Sequence, residues 1–525
     1  MILRLFGIWN TRVGFGNTIY QGANRYNLNN FFMQQHKLEI RGNDFFVRGY
    51  TTAENAGDSY DMRFTGINMN KVGASQWFGT YAGAYVQGAA GVLAGGGNPF
   101  DPAVQSQLHA GARAFADNAL TPQPGSPEFI ALFNQVTSDP NVATGSKFLD
   151  NSKVYVGEGN YNFKRLLNDA VDLQIGGNYR QYSLNSGGTI YTDSDGPINY
   201  DEYGAYIQAV KKFADDRLKV SASIRYDKNE FFDASYSPRI SLNYSAGENK
   251  QHNFRASFQT GFRNPDTQSL FIGFNVGRAI LVGSAPGNLD RALPGTTLTG
   301  NDVYNNGFTF ESVLAGSPVA VVTPLVEQEK VTAFDVGYRG KIGPVVVDFN
   351  AYYNTYDGFI ANKLVFAFEG ATPRLFQTYT NSLADVNSYG AVIGLSTKVA
   401  KDYRLGFNYT FAQFEFDQAS DPGFRAGFNT PEHKVKASFG NPKLFKNFGF
   451  NVNVRWNDEY LWEASIANAL IPSRTVFDAQ INYSVPSMKS IFKIGGTNLG
   501  GGEYLTAVGS PLIGSQYFIS WVINN

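Results

Sequence analysis

The sequence contains no cysteine, and this absence excludes a disulfide framework, thiolate catalysis and cysteine-ligated metal centres. It also lacks any run of roughly 18 or more apolar residues, the length that a membrane-spanning helix requires. Charged residues make up only 17% of the chain, against about 25% in an average soluble domain. The formal net charge is -1, so there is no basic excess of the kind that indicates nucleic-acid binding.

Aromatic residues and glycine are abundant, with 43 Phe, 30 Tyr and 56 Gly in 525 residues. Many aromatics alternate with polar residues, as in the stretch NFRASFQTGFR at 253–263. Successive side chains of a strand point to opposite sides, so Phe254 and Phe258 share one face while Arg255 and Gln259 share the other. A strand with one apolar and one polar face fits a soluble sandwich, and it also fits a membrane barrel with lipid outside and water inside.

The same alternation recurs along the chain and predicts about 18 strands, all antiparallel. The predicted strands are 12–20, 34–41, 45–53, 153–163, 171–180, 200–213, 218–227, 239–244, 253–263, 330–341, 345–356, 387–399, 403–416, 433–439, 448–457, 475–485, 491–499 and 516–523. Short turns alternate with long segments between them, which is how outer-membrane barrels arrange periplasmic turns and extracellular loops. We therefore expect an all-β transmembrane barrel. A soluble sandwich or propeller remains the alternative.

The connections predicted to be extracellular are long. They are 183–199, 228–237, 264–328, 357–386, 417–432, 458–474 and 500–515. The segment 54–150 is a further large extracellular insertion, with short helices expected around 104–118 and 127–137. We expect residues 1–525 to form one barrel domain carrying this insertion.

Three segments resemble the barrel of TonB-dependent outer-membrane receptors, particularly those of Bacteroidetes type. They are HNFRASFQTGFRNPDTQSLF, EKVTAFDVGYRGKIGPVVVDFNAYYNTYDGFIA and the ending FKIGGTNLGGGEYLTAVGSPLIGSQYFISWVINN. The resemblance implies a barrel of roughly 22 strands behind a plug domain. The sequence shows neither the plug nor about four of those strands, so we expect the C-terminal barrel portion of such a receptor.

The resemblance also implies a function, which is active uptake of a large, scarce nutrient of the siderophore, glycan or peptide class. Its expected setting is the outer-membrane lipid of a Gram-negative cell. The expected partners are the TonB–ExbB–ExbD complex, engaged through the plug, and a surface lipoprotein. The alternative function is a passive porin or a ligand-binding barrel without energy coupling. A secreted carbohydrate-binding or hydrolytic β protein is a third class, which requires paired carboxylates in a cleft.

The sequence predicts neither catalysis nor a cofactor. Its four histidines, His36, His109, His252 and His433, are far apart and show no metal-ligand spacing. The segment TDSDGP at 192–197 begins like a calcium loop, but Gly204 stands where the twelfth-position glutamate is needed. We expect a plain turn there and no metal site.

The sequence favours binding over catalysis. The polar candidate residues lie where a strand leaves the membrane and the long connection 264–328 begins, and the aromatic candidates lie on other long loops. Each aromatic residue among them also fits the interfacial girdle that membrane proteins carry at the headgroup level. The candidates are Arg263, Asn264, Asp266, Gln268, Trp77, Phe78, Tyr356 and Trp462.

Overall fold

The computed structural model describes residues 5–22, 24–400, 402–463 and 468–523. Nineteen strands form one large antiparallel sheet. They are β1 (Phe6–Gln21), β2 (Arg25–Arg41), β3 (Phe45–Asn55), β4 (Tyr60–Asp61), β5 (Lys153–Asn162), β6 (Asp172–Leu184), β7 (Ile198–Phe213), β8 (Leu218–Asn229), β9 (Ser235–Ala246), β10 (His252–Arg263), β15 (Glu329–Ile342), β16 (Val345–Asp357), β19 (Val386–Val399), β20 (Tyr403–Phe416), β21 (His433–Phe445), β22 (Phe448–Asn457), β25 (Arg474–Val485), β26 (Ser490–Thr497) and β27 (Gln516–Ile523). The intervening numbers belong to smaller sheets described below.

Each long strand pairs with the next long strand along the chain, so the sheet is a meander. Within the described residues, β1 pairs only with β2 and β27 only with β26, and these two strands are the edges of the sheet. All 18 strands predicted from alternation are confirmed, because alternation of apolar and polar residues is the direct signature of a two-faced sheet.

One predicted connection is wrong in length, and one predicted strand starts earlier than expected. The connection predicted at 228–237 is short, because β8 continues to Asn229 and β9 begins at Ser235. The second strand begins at Arg25 rather than at residue 34. It begins with the polar run RYNLNN, which extends the β1–β2 hairpin through ladder hydrogen bonds and the stacking of Tyr20 on Tyr26, with ring centroids 5.9 Å apart. Hydrophobic alternation does not detect a strand of that composition.

The two faces of the large sheet differ in chemistry. One face, called here the aromatic face, carries rows of rings on neighbouring strands, such as Tyr203–Tyr226 (6.4 Å between centroids) and Tyr226–Tyr236 (5.4 Å). A second row lies toward the short turns, for example Phe254–Tyr338 at 5.1 Å and Tyr403–Phe439 at 5.6 Å. Two aromatic rows bordering an apolar band are typical of barrel strands that cross a bilayer.

The opposite face, called here the charged face, carries ion pairs between neighbouring strands. Examples are Arg48–Glu158, Arg180–Glu202 at 3.2 Å and Arg455–Asp478 at 3.0 Å. Because a charge facing lipid is expensive, these pairs indicate that the charged face borders water and the aromatic face borders hydrocarbon.

The insertion between β3 and β5 is mostly helical. Its helices are α1 (Met62–Lys71), α2 (Ala74–Ala94), α3 (Pro102–Leu120) and α4 (Pro127–Ser138). The sequence predicted the last two, which begin with an Asp or Ser cap followed by proline. It did not predict α2, whose four glycines and four aromatics give a weak helical signal. Among the described residues, no helix is both long and apolar enough to cross a membrane.

The long extracellular connections also contain structure that the sequence did not predict. A six-stranded sheet, called here the loop sheet, comprises β11 (Gly273–Asn275), β12 (Ile280–Val282), β13 (Gly307–Thr309), β14 (Ala320–Val321), β17 (Ile360–Glu369) and β18 (Thr372–Asn381). β23 (Tyr460–Trp462) and β24 (Ala469–Ile471) form a separate pair. The helices here are α5 (Thr267–Phe271), α6 (Gly300–Tyr304) and α7 (Phe310–Leu314), with 3-10 turns at Pro286–Asn288 and, between β25 and β26, Pro486–Met488.

The buried hydrophobic core lies in these connections and not between layers of the large sheet. Tyr304 and Phe376 are fully buried in the loop sheet, together with Val282. The Tyr304 hydroxyl donates to the Val282 carbonyl (2.9 Å) and accepts from the Tyr379 amide (3.1 Å). Apolar residues on the aromatic face of the large sheet are instead left uncovered by the rest of the protein. Phe254, for example, is 48% exposed. Lipid is the medium that would cover them.

Candidate functional site

The extracellular end of β10 is held to β15 by an ion pair. Arg263 and Glu329 are register partners, and the Arg263 Nη2 lies 2.6 Å from the Glu329 Oε2. The Glu329 side chain is 8% exposed and that of Arg263 is 57% exposed. The same Glu329 oxygen accepts a hydrogen bond from the Ile360 amide at 3.0 Å, at the start of β17. One carboxylate therefore joins two strands of the large sheet to the loop sheet.

A hydrogen-bond network continues from Asn264 across the charged face. The Asn264 amide donates to the Glu202 carboxylate at 3.0 Å and accepts from the Gln328 side chain at 2.8 Å. Glu202 also accepts from Asn229 at 2.8 Å and from Arg180 at 3.2 Å. Sequence reasoning missed Glu202, Asn229 and Gln328 as members of this site. Glu202 lies in a predicted strand, whereas Asn229 and Gln328 lie in the predicted connections 228–237 and 264–328. Only the tertiary register brings these three side chains to Asn264.

Asp266 and Gln268 belong to the start of α5. The Asp266 carboxylate caps that helix by accepting from the Ser269 amide at 2.6 Å, and the Gln268 side chain is exposed. Between them, the Thr267 hydroxyl lies 3.4 Å from the Tyr191 hydroxyl, and burial raises the pKa of Tyr191 to about 12. This segment anchors the loop while leaving one amide side chain free to meet solvent.

Phe359 connects the predicted residues Arg263 and Tyr356. The Arg263 guanidinium lies 5.8 Å from the centre of the Phe359 ring, and the Tyr356 ring packs edge-on at 5.7 Å. On its other side, Phe359 contacts the rings of Phe414 and Phe424. The structure therefore brings Arg263, Asn264 and Tyr356 together around a shared aromatic and polar platform.

The remaining predicted aromatics lie apart from that platform. Trp77 donates from its indole nitrogen to Asp117 at 2.9 Å and stacks on Tyr81 at 5.3 Å, so it holds α2 against α3. Phe78 contacts the Trp77 ring edge-on and is 63% exposed. Trp462 lies in β23, opposite Ala469. In the described parts of the chain, no hydrogen bond or ring contact joins these three residues to Arg263 or Asn264.

The segment 192–197, which begins like a calcium loop, has a different role in the structure. Asp193 is buried, and its carboxylate accepts from the Ser186 hydroxyl and the Gly188 amide, both at 2.7 Å, as well as from the Ser186 amide. Protein donors thus occupy the oxygens that a cation would need. Across the described ranges, no three His, Asp or Glu side chains cluster in a way that could hold a metal ion.

The residues around Arg263, Asn264 and Phe359 at the extracellular strand ends, called here the mouth, can recognise a ligand through polar contacts. Arg263 uses one Nη for Glu329, and its side chain stays more than half exposed, so donors remain for a ligand. Because the neighbouring carboxylates are already bonded to arginine or amide groups, they contribute acceptors that are fixed in position. No nucleophile with an adjacent base is formed by these residues.

A family profile described as TonB dependent receptor-like, beta-barrel matches residues 4–499. No curated protein matches the sequence.

Solved structures with the same fold include the FrpB iron transporter from Neisseria meningitidis (F3-3 variant), with 10% identity and a TM-score of 0.56 over 98% of this chain and 68% of that chain. The siderophore receptor PirA from Acinetobacter baumannii gives 12% identity and a TM-score of 0.56 over 94% and 62%. The copper transporter OprC gives 12% identity and a TM-score of 0.55 over 98% and 68%. This chain spans about two-thirds of their lengths.

Proposed function

Since this chain belongs to the TonB-dependent receptor-like β-barrel family, we propose that it forms the membrane wall and the ligand-binding mouth of an outer-membrane transporter. The transporter takes up a nutrient too large for porins from outside a Gram-negative cell. The observation that carries this proposal is the pairing of two aromatic rows on one face of the sheet with interstrand ion pairs on the other.

The mouth of the wall supplies the proposed binding site. Arg263 and Gln268 present exposed polar groups, and Phe359 with Tyr356 presents aromatic surface beside them. Siderophores, glycans and peptides all offer acceptor oxygens together with apolar or ring surfaces, so this platform fits the three classes that we expect. The solved neighbours are named as iron, siderophore and copper proteins, which supports testing iron chelates first.

Energy coupling is part of the proposal. In this family, a plug domain contacts the TonB–ExbB–ExbD complex, and the charged face of this sheet is the surface against which a plug would lie. A surface lipoprotein is the further proposed partner, placed on the extracellular side. We also propose that the chain is a receptor barrel of Bacteroidetes type. The proposal is based on the sequence segments HNFRASFQTGFRNPDTQSLF and EKVTAFDVGYRGKIGPVVVDFNAYYNTYDGFIA.

The test has two steps. First, the protein should fractionate with the outer membrane and migrate faster on a denaturing gel before boiling than after it. Second, cells with and without the gene should be supplied with radioactive iron siderophores, copper and labelled oligosaccharides, each with and without a protonophore. We expect gene-dependent uptake of one class that the protonophore abolishes. Uptake that persists with the protonophore would favour the passive porin, and a soluble, heat-insensitive protein would refute both.

A further inference from the structure

Two cavities follow one another along the aromatic face of β2, β3 and β5. The lower cavity has a volume of about 610 Å³, and Trp9, Leu38, Gly49, Gly157 and Tyr179 are among its lining residues. The upper cavity has a volume of about 520 Å³ and lies toward the extracellular end of the same strands. The two cavities border adjacent rungs of the same face and are together called here the outer groove.

The register of the strands places the outer groove on three successive rungs. The lowest rung is Leu38–Gly49–Gly157, the next is His36–Thr51–Tyr155, and the uppermost is Gln34–Ala53–Lys153. Every second residue of a strand points to the same side, so the residues of all three rungs share one face. Tyr179 pairs with Gly157 and with Tyr203, which places this face in continuity with the aromatic row Tyr203–Tyr226–Tyr236.

The lower half of the groove exists because two glycines lie side by side. A Cβ added at Gly157 would meet nothing within 4 Å, and one at Gly49 would meet only the Val156 carbonyl at 3.7 Å. Large exposed side chains flank this gap, with Trp9 79% exposed and Leu38 61% exposed. The result is a smooth trough with aromatic and aliphatic walls, which suits a hydrocarbon chain.

The upper half of the groove is polar. Amide side chains line it, with Asn55 donating to Asn151 at 2.7 Å and His36 linking to Gln34 at 3.3 Å. Lys153 is exposed, and within the described ranges no carboxylate lies at ion-pair distance from it. The cavity is also lined by Glu54, but Glu54 alternates with Ala53, so its side chain points to the charged face, where it bonds to Asp150.

We propose that the outer groove binds a phosphorylated glycolipid of the extracellular leaflet. One acyl chain would lie in the glycine trough between Leu38 and Tyr179. Its phosphorylated sugar would lie against Lys153 and the amides of Gln34, Asn55 and Asn151. Charge complementarity selects a phosphate for the unpaired lysine, and several neighbouring amides suit a sugar rich in hydroxyl groups better than a small phospholipid headgroup.

The test uses the full-length protein, extracted in mild detergent and exchanged into nanodiscs that contain lipid A, phosphatidylglycerol or phosphatidylethanolamine. Native mass spectrometry after release from each disc reports the lipids that stay bound. We expect lipid A to be retained in preference to both phospholipids. Lys153→Gln should lower its retention about five-fold, the effect expected for one lysine at a lipid headgroup. Gly157→Leu fills the trough and should lower retention by a similar factor.

Matched variants separate the groove from general lipid contact. Lys330→Gln removes an exposed lysine on the same face at the extracellular end of β15, and Gly7→Leu adds a side chain on the same face of β1, where a Cβ would meet nothing within 4 Å. Both should retain lipid A as the parent does. Equal retention in all four variants would overturn the proposal, and so would preferential retention of either phospholipid.

The proposal requires only that the aromatic face borders lipid, and it does not depend on energised uptake. Heat-dependent gel migration of each variant shows whether the protein is still folded. Loss of lipid retention by a folded variant therefore reports on the groove itself, whatever the outcome of the transport assay.

Discussion

Replacing Phe258 by arginine tests which face of the large sheet borders lipid. Phe258 lies near the middle of β10, about 15–20 Å from either end at the rise of a strand. It belongs to the aromatic face, and its ring lies 5.0 Å from that of Phe334 on the neighbouring strand. An arginine at the bilayer midplane of a barrel costs about 2–4 kcal/mol. Loss of the aromatic pair adds about 0.5–1.5 kcal/mol, so we expect a destabilisation of about 3–5 kcal/mol.

Ser257→Arg is the matched control for this substitution. It introduces the same side chain one residue away on the charged face, opposite Asp335. An arginine there meets water and a carboxylate, so we expect a change of less than about 0.5 kcal/mol, as at ordinary surface positions. Urea titration of tryptophan fluorescence in phospholipid vesicles measures the unfolding free energy of each variant. Equal effects of the two substitutions would refute the assignment of the faces, and a larger effect of Ser257→Arg would reverse it.

Three further predictions concern the extracellular side. Arg263→Ala should lower the free energy of unfolding by about 1–3 kcal/mol, because it leaves the buried Glu329 carboxylate with only the Ile360 amide. Adding Glu329→Gln should recover part of that loss. Urea titration of the double-mutant cycle measures the coupling between the two residues, and additive effects would contradict it. Hydrogen bonds from Thr297 lower the pKa of Glu369 from 4.5 to about 2, so its stabilisation of the loop sheet is complete above about pH 4.5 and is lost as the pH falls through 2. Glu369→Gln should reduce the loss of loop-sheet structure at low pH, measured by near-ultraviolet circular dichroism. A pH profile equal to that of the parent would contradict the role of Glu369. Hydrogen exchange should be faster in α2 than in β17 and β18, since no residue of α2 is buried, and the reverse order would disprove this.

The strands could be predicted from sequence because one local signal specifies each of them. The stretch at 253–263 alternates cleanly, since one side faces an apolar medium and the other faces water. Lipid-facing positions such as Phe254 need no partner of matching shape, so the pattern does not depend on tertiary packing. The alternation of turn lengths then orders the strands into a meander without knowledge of any long-range contact.

The extracellular structure could not be predicted in the same way. The sequence pattern assigns β17 and β18 to the connection 357–386, although their residues include LVFAF and RLFQTYT. They form a buried sheet only when β12 and β13 pair with them. β12 contributes three residues, Ile280 to Val282, whose partners in β18, Phe376 to Thr378, lie 96 positions later in the chain. Similarly, the predicted end of a strand at Arg263 is confirmed. The partners of Arg263 and Asn264, which are Glu329 and Glu202, follow from register alone.

The bonding at the mouth divides the extracellular region into a fixed part and a free part. Glu329 ties the loop sheet to the ends of β10 and β15, and Asn381 adds bonds to the Gly358 and Glu327 carbonyls at 2.6 and 3.1 Å. The loop sheet therefore cannot shift without breaking several directional hydrogen bonds. Within the described residues, α2 has no comparable anchor to the large sheet, since it is uncharged, follows Gly73 in a left-handed conformation and buries none of its residues. A rearrangement that admits a ligand should thus occur at this hairpin, while Arg263 and its partners keep their positions.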